Sequence, residues 1–227
     1  MKSNNKLARW AGVLYIFGTA AGILSTVGTG IMPGATDLHT LTFANENQFI
    51  LGTLFLLLMG ISLALIPVVI YPVVSQVNQT LALGYVVFRG ALETFTYIVT
   101  AISWLLLLVI NMEHANTVTS ADSTVYQSMG YILSLSSEHL HSITTIIFSL
   151  GALMLYSLLY QSRLIPRWLS GWGFIGGIIY LVAGAMALYG TNYTALQMPL
   201  ALQEMVMAVW LIIKGFNQPE THPLSRK

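Results

Sequence analysis

The chain has 227 residues, of which 56% are hydrophobic and 7% charged. A soluble domain carries about 25% charged residues, so this composition excludes an ordinary water-facing surface and makes lipid the solvent. A formal net charge of +1 without a basic cluster gives no footprint for a nucleic acid, and the absence of cysteine removes disulfides, thiolate metal ligands and cysteine nucleophiles.

Six apolar stretches follow one another, at 10–29, 49–73, 82–110, 129–160, 170–189 and 195–215. Each reaches or approaches the about 20 residues a helix needs to cross hydrocarbon. Backbone in lipid must bond internally, so these runs read as helices, and the alternation of a membrane barrel is missing. The prediction is an all-α polytopic transmembrane bundle with six spans, one domain over residues 1–227.

The first stretch follows Lys2, Lys6 and Arg9, as a signal peptide would, but its apolar run is longer than a typical signal core and reads as a retained helix. Gly18 and Gly22 in it allow close helix approach. The second holds Pro67 and Pro72. Asn78, after it, starts an Asn-x-Thr pattern, as does Asn192 later. The third contains Arg89 and Glu93, four apart and on one face, so they can pair. Ionisable groups inside a span are costly and therefore mark candidate sites.

The fourth stretch begins polar, with Glu138, His139, His141 and several Ser and Thr residues, and ends lipid-like. Either one long helix crosses, or an interfacial segment bends into the membrane, with Gly151 able to take the bend. Glu138 and His141 sit three apart on one helix side, the Glu-x-x-His spacing of helical di-iron sites. Those bundles use the motif twice, and here it occurs once. With Glu93 and Glu204 it would make a mononuclear zinc or iron site, the only cofactor the residues point to. The fifth stretch follows Pro166 and carries Gly173 and Gly177. The sixth holds Gln203 and Glu204 mid-span, with Pro199 placed to free a carbonyl near its start. Glu93, Glu138 and Glu204 are expected at similar depths. Tyr and Trp, including Trp10, Tyr156, Tyr160 and Trp168, fall near span ends as an aromatic belt, whereas Trp104 and Trp210 read as packing bulk.

Six crossings put both termini on one side. That side carries Lys2, Lys6, Arg9, Arg163, Arg167, Lys214, Arg226 and Lys227. The other side has no Lys or Arg, only Asp37, Glu46, Glu113 and Asp122. The positive-inside rule makes both termini cytoplasmic, in a cell inner membrane or plasma membrane with lipid as the immediate partner.

Four segments resemble a known group: RWAGVLYIFGTAAGI (9–23), YPVVSQVNQTLALGYVVFRGALE (71–93), LLYQSRLIPRWLSGWGFIG (158–176) and MPLALQEMVMAVWLIIKGF (198–216). Together they are similar to a bacterial integral-membrane family catalogued as domain of unknown function 4386. The resemblance implies a multi-span protein and no established reaction. It brings Arg89, Glu93, the Ser162 to Arg167 turn, Gln203 and Glu204 within the family pattern, without roles for them.

Three functions fit these residues. One is a protein that binds or moves a small ligand or ion at a polar centre of Arg89, Glu93, Glu138, His141, Gln203 and Glu204. Six helices without a clear repeat make a small body for transport, which would call for a homodimer. The second is an intramembrane acid–base or metal-assisted enzyme using Glu138 and His141. The third is a structural or regulatory protein whose charges only fix packing. The first two require a cavity at the membrane centre; the third requires tight, fully paired charges.

Overall fold

Hydroxyl side chains show how this chain satisfies itself in lipid. Thr19 Oγ1 donates to Tyr15 O, Thr26 to Gly22 O, Ser62 to Leu58 O, Thr100 to Thr96 O and Ser149 to Thr145 O. Each reaches back one helical turn, so these polar groups sit in apolar helices without an external partner. The computed structural model describes residues 2–30, 46–116, 120–191 and 193–217. Asp37, Asn192, Arg226 and Lys227 lie outside the described residues, as do the side chains of Lys2 and Asp122.

The helices are α1 (Lys2–Thr29), α2 (Glu46–Val74), α3 (Gln79–Tyr85), α4 (Glu93–Asn116), α5 (Ser120–Ser162), α6 (Arg167–Leu188) and α7 (Met198–Ile213). A π-helical segment, Val86–Leu92, joins α3 to α4 without a break, so the third span is one rod from Gln79 to His114. Among the described residues six helical runs are long and apolar enough to cross a membrane, which makes this a multi-pass membrane protein. Their outward faces are apolar: Leu54, Ile61 and Val68 on α2, Phe95 and Ile102 on α4, Ile175 and Val182 on α6. The seven-residue spacing keeps each set on one stripe, toward lipid.

The ends follow local chemistry. Asn78 caps α3, its side chain accepting from Leu81 N–H at 3.0 Å. Pro166 precedes α6, as expected of a residue that positions this helix. Pro199 lies in the first turn of α7, which continues from a 3₁₀ turn over Thr194–Gln197; Met198 N–H bonds to Ala195 O, and Pro199 has no N–H to offer the carbonyls of that turn. The fourth stretch is one continuous helix, and Gly151 is not a bend. It makes room instead: a Cβ there would lie 3.3 Å from Arg89 N, against the π segment.

Each span packs on the next in sequence, and α7 returns to α1. The result is a closed ring in the order α1, α2, α3–α4, α5, α6, α7. Small residues set the closest seams. Gly18 and Gly22 face Leu63 and Met59 of α2, Gly28 faces Gly52, and Gly12 lies under Ala208 of α7. Gly173 and Gly177 face Tyr156 and Leu153 of α5. Asn5 lies beside Gly215, and Asn217 donates to Arg163 O and Leu164 O, so both ends of the described chain and the α5–α6 turn share one face. Lys6, Arg9, Arg163, Arg167 and Lys214 belong to it.

The buried apolar cluster fills the half of the ring next to this basic face: Ala8 to Tyr15, Leu63 to Val74, Ala82 and Tyr85, Phe148 to Leu164. The other half holds a hollow beside a smaller buried cluster of Phe49, Leu107 and Leu108. Tyr15, Leu63 and Phe148 floor the hollow and cap the core.

Candidate functional site

The hollow is a cavity of about 400 Å³ to which all six spans contribute. Its wall runs on α1 from Tyr15 to Thr26, on α4 from the Arg89 level to Trp104, and on α5 from Ser137 to Phe148. Tyr180 of α6 and Glu204 of α7 complete it. It is not sealed.

Arg89 lies at the inner end, on the π segment. A π turn shifts the hydrogen-bond partner by one residue: the Glu93 N–H bonds to Phe88 O, five residues back. Such turns occur often at functional sites because they re-aim one side chain within an otherwise regular helix. Here the segment packs between α2 and α5. Arg89 Nη1 donates to both carboxylate oxygens of Glu93, at 3.0 Å each. Tyr97, one further turn on, donates to Glu93 Oε1 at 2.9 Å. Arg89, Glu93 and Tyr97 thus form a ladder at four-residue spacing. From across the ring Glu204 Oε1 meets Arg89 Nη2 at 3.5 Å, longer than a typical charge-assisted bond. The guanidinium also lies 4.5 Å from the Phe148 ring centre and 5.9 Å from that of Tyr15.

The two carboxylates differ in access. Glu93 is 1% exposed and Arg89 3%, whereas Glu204 is 15% exposed, toward the cavity. Glu93 accepts three hydrogen bonds; Glu204 has one long contact. Arg89 Nε and Ser25 Oγ, both on the cavity wall, are buried with no hydrogen-bond partner among the described residues.

Over residues 10–215 the chain matches the family model described as Domain of unknown function (DUF4386). The chain belongs to that family. No curated protein and no solved structure matches it. DUF4386 membership agrees with the resemblance carried by the four sequence segments, and its description assigns no activity.

Of the six candidate residues in this DUF4386 chain, five line the cavity: Arg89, Glu93, Glu138, His141 and Glu204. Gln203 does not. It is fully buried, accepts from Tyr156 Oη at 2.5 Å and donates to Leu169 O at 3.0 Å, tying α7 to α5 and α6. Next to Glu204 in sequence, it points about 100° away around the helix. Tyr156, expected in the interfacial belt, is the buried other half of that bond.

The expected common depth is also corrected. Phe148 stacks on Arg89, and Glu138 lies ten residues before it on α5, about 15 Å further out. Glu93 and Glu204 gather at the inner end; Glu138 and His141 stand further from the basic face. Among the described residues no group of three His, Asp or Glu side chains is placed to hold a metal ion. Most of the hydroxyls around Glu138 bond back to their own helix, as Ser142 does to Glu138 O.

Sequence reasoning missed the aromatic wall: Tyr15, Tyr97, Trp104, Phe148 and Tyr180. Tyr97 had a signal, four residues beyond Glu93. Trp104, read as packing bulk, does pack on the Phe49, Leu107 and Leu108 cluster but also forms cavity wall.

Proposed function

We propose that this is an integral-membrane binding protein that takes up a small molecule or ion at the Arg89–Glu93–Glu204 centre. Its basic face would be cytoplasmic, its cavity opening away from the cytoplasm, in a plasma membrane or cell inner membrane. The observation that carries the reading is the incomplete pairing beside open space. A charge cluster that serves only packing would be dry, close-packed and saturated. Here Glu204 has one long contact, Arg89 Nε has none, and both residues border a cavity within the size range of small-molecule sites.

The chain contains no cysteine, so one introduced thiol is a clean probe. Thr100 lines the cavity, whereas Ile102, two residues on, is 53% exposed on the outward face of the same helix. In membranes, Thr100→Cys is expected to react with a charged methanethiosulfonate and Ile102→Cys to stay unreactive. Equal reactivity at the two positions would remove the cavity and the function with it.

A further inference from the structure

The lining of the cavity is unbalanced in charge and rich in rings. Three carboxylates, Glu93, Glu138 and Glu204, face one guanidinium. Glu93 is saturated by Arg89 and Tyr97. Glu138 has no ion pair among the described residues, and Glu204 shares Arg89 at a long distance. Negative potential is therefore left over at both ends of the space. Between them stand the ring of Tyr97 and the apolar side chains of Leu56 and Met59, with Tyr180 beside Phe148 at the inner end and Trp104 further out, against Leu133. Ring faces attract cations, and apolar walls accept a hydrocarbon body. Ser25 Oγ, 2% exposed on the same wall, has no hydrogen-bond partner among the described residues.

We infer that the cavity takes a lipophilic ammonium compound, its amine on Glu204 and its apolar body among the rings of Tyr97 and Tyr180. This rests on the binding reading above and gives it a ligand class. An anionic head meets the wrong field: Arg89 is already neutralised by Glu93, and Glu204 would repel it. A primary amine supplies the donors that Glu204 lacks. Glu138, at the end of the cavity away from Arg89, adds to the negative potential that favours a cation.

The test uses three compounds of one skeleton: 3-phenylpropylammonium, 3-phenylpropanol and 3-phenylpropanoate. Each is radiolabelled and dialysed to equilibrium against the full-length protein in nanodiscs, with protein-free nanodiscs subtracted. The ammonium is expected to bind at least about tenfold more tightly than the alcohol, and the carboxylate most weakly. Glu204→Gln, nearly isosteric, is expected to abolish the ammonium's advantage over the alcohol. Tighter binding of the carboxylate or the alcohol overturns the ligand class, as does an undiminished advantage in E204Q. Absence of binding by all three also overturns it; the cavity reading then survives only if Thr100→Cys remains reactive.

Discussion

Arg89 is held from two directions, by Glu93 on its own rod and by Glu204 across the ring. Removing one member of a buried ion pair leaves an uncompensated charge, at about 3–5 kcal/mol. Arg89→Leu is therefore expected to lower the melting temperature of the detergent-purified protein sharply. The double variant Arg89→Leu/Glu93→Leu removes both fully buried charges and leaves Glu204, which cavity water can reach. It should melt closer to wild type than R89L alone; a double variant that melts lower would contradict the pairing. Gln203 carries a different kind of cost. Tyr156→Phe takes away its buried donor, a loss of about 1–3 kcal/mol readable in the same melting experiment. The Arg89–Glu93 pair was legible because four-residue spacing on a helix is local geometry. That Gln203 turns into packing while Glu204 meets the cavity was not, because it depends on which neighbour fills each side of α7.

Between helices the decisive quantity is backbone separation. A Cβ on Gly52 would lie 2.6 Å from Thr29 N and 2.9 Å from Gly28 C, and backbone atoms cannot swing aside. Gly52→Ala is expected to destabilise by about 1–3 kcal/mol through forced separation of α1 and α2. Gly171, in α6, has nothing within 4 Å of its built Cβ. Gly171→Ala should be neutral or raise stability by up to about 1 kcal/mol, through helix propensity. Thermal melting of the two single variants checks the contrast. The glycine pairs at 18/22 and 173/177 were visible as spacing; their partners were not, because a small residue announces a close approach without saying to what. The π segment left no trace in Val86–Leu92. Moving one hydrogen-bond partner by one residue barely disturbs apolar periodicity, yet it sets where Arg89 points.

At the scale of the molecule, span number and the asymmetry of basic residues could be read directly, since lipid imposes both. The half-solid, half-hollow ring could not: every helix is apolar along its length, and only the packing tells core from cavity wall. Orientation yields a direct measurement. Gln76 lies in the exposed turn between α2 and α3 on the basic face; Tyr189, 90% exposed, ends α6 at the opposite face. With a membrane-impermeant maleimide, Tyr189→Cys should label in intact cells and Gln76→Cys only after permeabilisation. The reverse pattern would turn the cavity toward the cytoplasm.

The seam between α1 and α7 joins two helices far apart in the sequence. At about 5–20 residues per second, translation separates their completion by about 10–40 s. Throughout that interval Gly12 has no Ala208 to lie against, and Arg89 enters the bilayer with Glu93 as its only anion. The nascent protein is thus an open arc with a polar notch until α7 arrives. Chains halted before Met198 would keep that notch permanently and present themselves to membrane proteases as unfinished.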